Sequence, residues 1–142
     1  LSRARETAET LARGRTVALD ARLVERSWGT WEGQRAADLA ADPKAGFVPT
    51  HRLTGEARAP GGESETEVLR RLAPFLAERA GRGPAVIVTH KAVMRAVLAA
   101  AGAPLCEDGA VSIRRARLYP LSLAPDGTPS APQAPVRLVP RP

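Results

Sequence analysis

The chain has 142 residues, of which 44% are hydrophobic, and it carries a formal net charge of +6 at pH 7. This length fits one domain with its own core, and the composition excludes a disordered chain. No apolar run approaches the roughly 20 residues of a membrane-spanning helix, so we expect no membrane partner. The single cysteine, Cys106, excludes an internal disulfide and a multi-cysteine zinc site, and a cytoplasmic location is expected.

The positive charge raises the question of a nucleic-acid partner. Arginine accounts for 19 of the 21 basic residues, which are scattered along the chain, and only five aromatic residues are available to stack on bases. We therefore expect a solvated basic surface that attracts small anionic substrates, and no nucleic-acid partner. The oligomeric state is not indicated.

The first half of the chain predicts two helices and one strand. Apolar residues recur at helical spacing over residues 2–13, and TVALD at 16–20 is a strand candidate. A short helix is expected over 34–41. Residues 43–63 contain three prolines and four glycines, which predict an irregular segment over the surface.

A capping box marks the start of the next helix. Ser64 and Glu67 form an S-x-x-E pattern, and the helix is expected to run to about Gly81, burying one apolar face. Pro74 lies inside this pattern and is expected to kink the helix, because proline removes a backbone hydrogen bond.

The segment AVIVTH at 85–90 predicts a buried strand that leads into a helix over 92–102. Its β-branched run is typical of a strand covered by helices on both faces. A further strand is expected over 115–125, and a proline-rich tail at 120–142 has an edge-strand candidate at 136–139. Helices alternating with buried strands predict a single α/β layered domain over residues 1–142.

His90 lies where the predicted buried strand ends and a helix begins. Ligands of open α/β sheets bind beyond the carboxyl ends of strands, and helix N-termini there favour anions. His90 therefore either contacts a phosphate and takes part in proton transfer, or packs under a loop in a structural role. His51 is expected at the surface, and a metal site is not expected with only two histidines far apart in sequence.

Two further residues have side chains that fit phosphate chemistry. Arg3 shares a helix face with Thr7, and an arginine fork suits bidentate phosphate binding, although this position by itself favours a solvated arginine. Glu25 lies between a strand and a glycine-punctuated turn, where a raised pKa would make it a general acid. An ordinary surface glutamate is the alternative. Trp28 and Trp31 are expected to be packing anchors.

Four segments in this order resemble the histidine phosphatase (phosphoglycerate-mutase-like) superfamily. They are LSRARETAE at 1–9, LVERSWGTWEG at 23–33, PGGES at 60–64 and VIVTHKAVMRAVL at 86–98. The resemblance implies a three-layer α/β/α sandwich with a mostly parallel sheet. It also implies that Arg3 binds the substrate phosphate, that Glu25 is the proton donor and that His90 is the second active-site histidine.

The sequence departs from the family pattern at two places. Family members begin with a strand ending in an R-H-G motif whose histidine becomes phosphorylated, and this sequence contains no R-H-G. We therefore expect that a first strand, within a βα unit of ~30 residues or more, precedes the chain. Lys91 occupies a position where glycine is common in the family; it either adds positive charge near the phosphate or points to solvent.

The resemblance implies a phosphatase that hydrolyses a small phosphorylated substrate through a phosphohistidine, without a metal or other cofactor. The separation of 65 positions from Glu25 to His90 favours a phosphatase over a phosphoglycerate-mutase-type phosphotransferase, in which this interval carries a longer insertion. A non-catalytic domain that binds phosphorylated ligands is a further alternative. The 142 residues alone are expected to be a poor enzyme, and the natural substrate is not indicated.

Overall fold

The computed structural model describes residues 2–49, 52–103, 113–114, 117–130 and 136–137. Four α-helices and four short strands are assigned there: α1 Ser2–Ala12, α2 Ala36–Ala41, α3 Glu65–Arg79, α4 Lys91–Ala100, β1 Arg117–Leu118, β2 Ser122–Leu123, β3 Pro129–Ser130 and β4 Val136–Arg137. Single 3-10 turns at Ala21–Leu23, Gly29–Trp31 and Pro43–Ala45 shape the segments between the helices. Within these ranges no helix is both long and apolar enough to cross a membrane.

Helix α3 begins at the predicted capping box. The Ser64 hydroxyl accepts a hydrogen bond from the Glu67 backbone N–H at 3.1 Å, and the Glu67 carboxylate accepts one from the Ser64 N–H at 2.8 Å. Both interactions satisfy donors that a helix N-terminus leaves unpaired. The helix is assigned without interruption through Pro74.

The main core lies between α3 and α4. It consists of one apolar face from each helix: Val68, Leu72, Val93, Ala96 and Val97. Leu23 and Leu69 are partly buried and pack against these residues. The predicted inward faces of both helices are therefore largely correct, but α4 packs on α3 and on the short strand β3, and no parallel sheet covers it among the described residues. Leu72 from α3 and Val93 from α4 are each 1% exposed, so this core excludes water where the two helices meet.

A second core cluster forms around Trp31. It contains Leu39 from α2 together with Leu53 and Ala59, and the Trp31 ring lies 5.1 Å from that of Phe47. The expectation that residues 43–63 only cross the surface was therefore wrong, because this irregular segment contributes buried apolar side chains. The prediction that Trp31 is a packing anchor is confirmed.

The predicted parallel sheet is not confirmed. Residues 16–20 and 85–90 are not assigned to strands, and Val86 and Ile87 are 66% and 42% exposed, so the expected burial of this run was wrong. A strand needs a neighbouring strand to complete its hydrogen-bond ladder, and among the described residues neither segment has one. The apolar face of α1 is likewise not buried.

The described strands form two antiparallel pairs near the carboxyl end of the chain. Strand β1 pairs with β4, and β2 pairs with β3. The strand predicted over 115–125 is thus two short strands in different pairs. Pro120 lies between them, and proline cannot donate to a ladder. The predicted edge strand at 136–139 is confirmed for its first two residues, and the rest lies outside the described residues.

Candidate functional site

His90 is the residue that immediately precedes α4. Its backbone is extended, with φ of −110° and ψ of 161°, and its carbonyl accepts the first helical hydrogen bond from the Met94 N–H at 2.9 Å. The imidazole does not cap the helix and the residue is only 6% exposed. Thr89 donates its hydroxyl to the Leu23 carbonyl at 2.7 Å, which ties the start of α4 to the segment that leads to Glu25.

Glu25 lies opposite His90. One carboxylate oxygen, Oε2, is 3.9 Å from His90 Nδ1, which is within ion-pair range but too long for a hydrogen bond. The other oxygen, Oε1, accepts a hydrogen bond from the Arg26 backbone N–H at 3.0 Å. The Ala92 N–H in the first turn of α4 also bonds to the carboxylate. The structure therefore brings together two residues that are 65 positions apart.

Arg3 reaches the same region from α1. Its positive charge acts on both Glu25 and His90, and it lines a groove of about 420 Å³ together with Glu6, Thr7, Thr10 and Leu11. The prediction that Arg3 and Thr7 share a face is confirmed. The Thr7 hydroxyl, however, donates to the Arg3 carbonyl at 2.8 Å, so it stabilises the helix backbone.

Burial shifts the pKa values of the two central groups in opposite directions. The pKa of Glu25 is raised mainly by burial, against hydrogen bonds from two backbone N–H groups and the charges of Arg3 and Arg71. The pKa of His90 is lowered mainly by burial and further by the charge of Arg3. Both shifts favour the uncharged form, so the carboxyl keeps its proton to a higher pH than an exposed glutamate does. Such a carboxyl is suited to donate a proton.

The loop that carries Glu25 is held by two arginines that the sequence analysis did not single out. Arg26 is 4% exposed and donates to the backbone carbonyls of Leu53, Ala57 and Glu63 at 2.6–2.7 Å. Arg71 on α3 donates to backbone carbonyls at 22, 24 and 25 and to the Glu63 carboxylate. No pattern in the sequence separates these two residues from the other arginines. Arg26 lies inside the family-like segment 23–33, and Arg71 lies outside all four segments, although its partner Glu63 belongs to the segment 60–64.

The remaining predicted residues lie around this centre or outside the described residues. Trp28 packs against the Trp31 cluster, with the Arg26 guanidinium 5.1 Å from its ring centroid. Lys91 is exposed at the start of α4, in line with the solvent alternative. His51 and Cys106 lie outside the described residues. Among the residues that are described, no group of three or more His, Cys, Asp or Glu side chains is placed to hold a metal ion.

Comparison with known proteins gives the family. The sequence profile of the histidine phosphatase superfamily (branch 1) matches residues 1–130. The chain belongs to the histidine phosphatase superfamily. The resemblance carried by the four sequence motifs is thereby confirmed, and with it the α/β class of the superfamily fold. No curated protein matches the chain at comparable significance.

Among solved structures, this histidine phosphatase chain is similar to one titled "Mycobacterial hydrolase 1". The two share 31% sequence identity with a TM-score of 0.60, over 72% of this chain and 54% of that one. The chain thus matches about half the length of that hydrolase. The roles of Arg3, Glu25 and His90 are predictions.

Proposed function

We propose that this histidine phosphatase chain contributes the proton donor and phosphate-binding groups of a phosphomonoesterase. One observation carries the proposal: the Glu25 carboxyl lies 3.9 Å from His90 at the start of α4, and the charge of Arg3 acts on both. A half-buried acid beside a cationic guanidinium and a helix N-terminus fits the departure of an alkoxide from a phosphate.

The proposed reaction has two displacement steps. A histidine from an R-H-G motif, which these 142 residues do not contain, attacks phosphorus while the bond from phosphorus to the ester oxygen breaks. Glu25 gives its proton to the departing oxygen, which leaves as an alcohol. Water then attacks the phosphohistidine, with Glu25 as the base that accepts the proton of that water, and the nucleophilic histidine is regenerated together with inorganic phosphate.

Arg3 and His90 have electrostatic roles in both steps. Charge spreads over the equatorial phosphate oxygens in the transition state, and preorganised donors around them supply most of the stabilisation. The guanidinium of Arg3 offers two parallel N–H donors, and a neutral His90 imidazole offers one. Because protein groups perform every step, we propose that no metal or other cofactor takes part.

The proposed activity requires the segment that supplies the nucleophile. We propose that this segment also supplies a strand next to 16–20 and 85–90, so that the complete domain is a three-layer α/β/α sandwich with a mostly parallel sheet. The exposure of Leu19 and Val86, at 67% and 66%, supports this because both are apolar residues in the predicted strands. We further propose that the protein works in the cytoplasm.

The experiment that tests this function is hydrolysis of p-nitrophenyl phosphate by the protein expressed together with the upstream R-H-G segment. We expect turnover in the presence of a chelator, and a loss of about 100-fold or more in kcat for His90→Ala. His51→Ala, at the other histidine of the chain, is the matched control and should retain activity. Unchanged turnover in His90→Ala would remove His90 from the site.

A second function follows from the same residues without the nucleophile. As it stands, the chain has groups suited to hold a phosphate and no R-H-G motif, which favours a non-catalytic domain that binds phosphorylated ligands as the alternative. Absence of turnover in the longer protein, together with saturable perturbation of the His90 NMR signals by inorganic phosphate, would favour this alternative over the phosphatase. A phosphotransferase would instead transfer the phosphoryl group to an added alcohol in preference to water.

A further inference from the structure

Arg71 lies on α3, and its guanidinium reaches the loop that carries Glu25. It donates to the backbone carbonyl of Arg22, to that of Val24 at 2.9 Å and to that of Glu25 at 3.4 Å. One rigid side chain thus contacts three carbonyls within four consecutive residues. Because these carbonyls are 46–49 positions earlier in the chain, the contacts fix the loop relative to α3.

Glu63 holds the Arg71 guanidinium in place. Its carboxylate accepts from Arg71 Nε at 2.8 Å and from a terminal guanidinium nitrogen at 3.2 Å, in a two-point contact. Burial opposes ionisation of Glu63, but the hydrogen bonds from Arg71 and from the Ser27 backbone outweigh it and keep the pKa of Glu63 below its ordinary value. The carboxylate is therefore charged at neutral pH and fixes the orientation of the fork.

Glu63 also holds the far side of the same loop. Its carboxylate accepts from the Ser27 N–H at 3.0 Å, and its own backbone N–H donates to the Ser27 carbonyl at 2.9 Å. The loop is consequently held on both sides of the Glu25 side chain: Arg71 bonds to backbone carbonyls at 22–25, and Glu63 bonds to the backbone of Ser27. Its carboxyl faces Arg3 from α1 and His90 and the Ala92 N–H from α4, while its backbone faces Arg71.

We propose that Arg71, oriented by Glu63, is a positioning residue that aims the Glu25 carboxyl at His90 and keeps it away from water. Within the described structure, Arg71 hydrogen-bonds to the backbone of the loop and not to the Glu25 carboxyl, so it acts through Glu25. A lysine cannot replace it, because a single ammonium does not match several carbonyls and a carboxylate as a planar fork does. Because the role proposed for Arg71 concerns proton donation by Glu25, this inference rests on the proposed function.

The direction in which the pKa of Glu25 changes when Arg71 is substituted distinguishes the possible roles of Arg71. The positive charge of Arg71 by itself lowers the pKa of Glu25, so its loss from an unmoved loop would raise that pKa. Loss of positioning has the opposite effect, because the carboxyl becomes hydrated and its pKa falls towards the ordinary 4.5. If Arg71 only stabilises the fold, the pKa of Glu25 should rise in folded Arg71→Ala, which loses the charge, and stay unchanged in folded Arg71→Lys, which keeps it.

The experiment titrates the Glu25 side chain by carboxyl 13C NMR in the 142-residue chain and in Arg71→Ala, Arg71→Lys and Arg70→Ala. Arg70 is an exposed neighbour on the same helix, so its alanine variant is the matched control. We expect the pKa of Glu25 to fall in both Arg71 variants and to stay unchanged in Arg70→Ala. Arg71→Lys is informative because it retains the charge and loses the fork.

Kinetics in the longer protein with the nucleophile give the second measurement. We expect Arg71→Ala to lower kcat on p-nitrophenyl phosphate by about 100-fold, the scale of a 1 Å misplacement, with a much smaller change in KM. The basic limb of the kcat profile, which reports the protonated acid, should move to lower pH. Arg70→Ala should reproduce the wild-type profile.

The two proposals fail in distinguishable ways. If the wild-type longer protein has no activity, the phosphatase is refuted, while the Glu25 titration still decides whether Arg71 positions the carboxyl. A raised or unchanged pKa of Glu25 in folded Arg71→Ala and Arg71→Lys would overturn the positioning role with the phosphatase intact. Failure of both variants to fold would overturn it too, because Arg71 would then be a residue of the fold alone.

Discussion

Gly29 is the position where the structure makes the sharpest prediction about stability. The loop at 27–30 packs backbone to backbone on the turn at 59–63: the Thr30 N–H donates to the Pro60 carbonyl at 3.0 Å. Gly29 has a φ of +52°, and a Cβ placed on it would lie 2.1 Å from the Pro60 oxygen and 2.5 Å from backbone atoms of Gly61 and Gly62. An alanine at this position therefore requires one of the two loops to move.

The expected loss in the free energy of unfolding for Gly29→Ala follows from comparison with Gly33. A side chain at Gly33 also meets a left-handed backbone, with φ of +75°, but has nothing within 4 Å. Gly33→Ala thus reports the conformational strain alone, about 1–2 kcal/mol. The gain from a less flexible unfolded chain is the same for both substitutions and cancels. The clash at Gly29 adds an overpacking cost of about 1–3 kcal/mol, so Gly29→Ala should lose about 2–5 kcal/mol in total.

The assay is equilibrium unfolding in urea, followed by far-ultraviolet circular dichroism and by the fluorescence of Trp28 and Trp31. Dichroism reports the helices, so a local change around the two tryptophans does not distort the comparison. We expect the free energy of unfolding to decrease for both variants, and by about 1–3 kcal/mol more for Gly29→Ala. Equal losses, with unchanged denaturant dependence, would refute the close approach of the two loops.

Three further predictions concern the capping box and the site. Ser64→Ala should lower the free energy of unfolding by about 1 kcal/mol in urea titrations, because the Glu67 N–H loses its acceptor; no loss would contradict the cap. The raised pKa of Glu25 means that the folded chain binds its proton more tightly, so its contribution to stability is present at low pH and is lost as pH rises from 4.5 through the raised value. His90, with a lowered pKa, contributes in the opposite direction, and its contribution is lost as pH falls below 6.5. Free energies of unfolding measured from pH 4 to 8 should therefore show, in Glu25→Gln, no loss of stability above pH 4.5 that is due to Glu25. A pH dependence identical to that of the wild-type chain would contradict the burial of Glu25. Arg3→Lys should weaken the binding of inorganic phosphate about tenfold, measured from the His90 NMR shifts, because the two-point contact is lost; unchanged affinity would leave Arg3 as a solvated residue.

Helices were the part of the fold that could be predicted from sequence. Helix α3 begins after Ser64 as the capping box indicates, and its predicted apolar face is the one that is buried. Both features are local, since a cap needs residues three apart and a helical face repeats every three or four. Helix α4 could be located for the same reason, but its partner could not, because the periodicity states which face is buried and not against what.

The strands could not be predicted to the same extent, since a strand is completed by residues distant in sequence. The β-branched residues at 86–88 have the composition of a buried strand, yet Val86 is 66% exposed. Composition describes the environment that a strand suits, and a ladder forms only where a neighbour supplies donors and acceptors. The antiparallel pair of β1 with β4 illustrates the same limit, because its register joins residues 18–20 positions apart.

The candidate site likewise contains residues that could be predicted from the sequence and residues that could not. Glu25 and His90 could be singled out because each sits at a characteristic position, in a glycine-punctuated turn and before a helix. Arg26 and Arg71 could not, because their partners are backbone carbonyls 27–49 positions away and one arginine among 19 carries no local mark. The residues that shape the site were therefore less visible in the sequence than the residues proposed to act in it.

The acidity of Glu25 is set by a balance that depends on how the loop is held. Two backbone N–H groups and two arginine charges all lower its pKa, and only burial raises it, yet the net direction is upward. Burial of this carboxyl comes from the fixed path of the loop, which polar contacts from Arg26, Arg71 and Glu63 maintain. Any substitution that lets water reach Glu25 removes the one effect that opposes the other four. Loosening the loop, even far from His90, should therefore lower the pKa of Glu25 towards its ordinary value and make it a poorer proton donor.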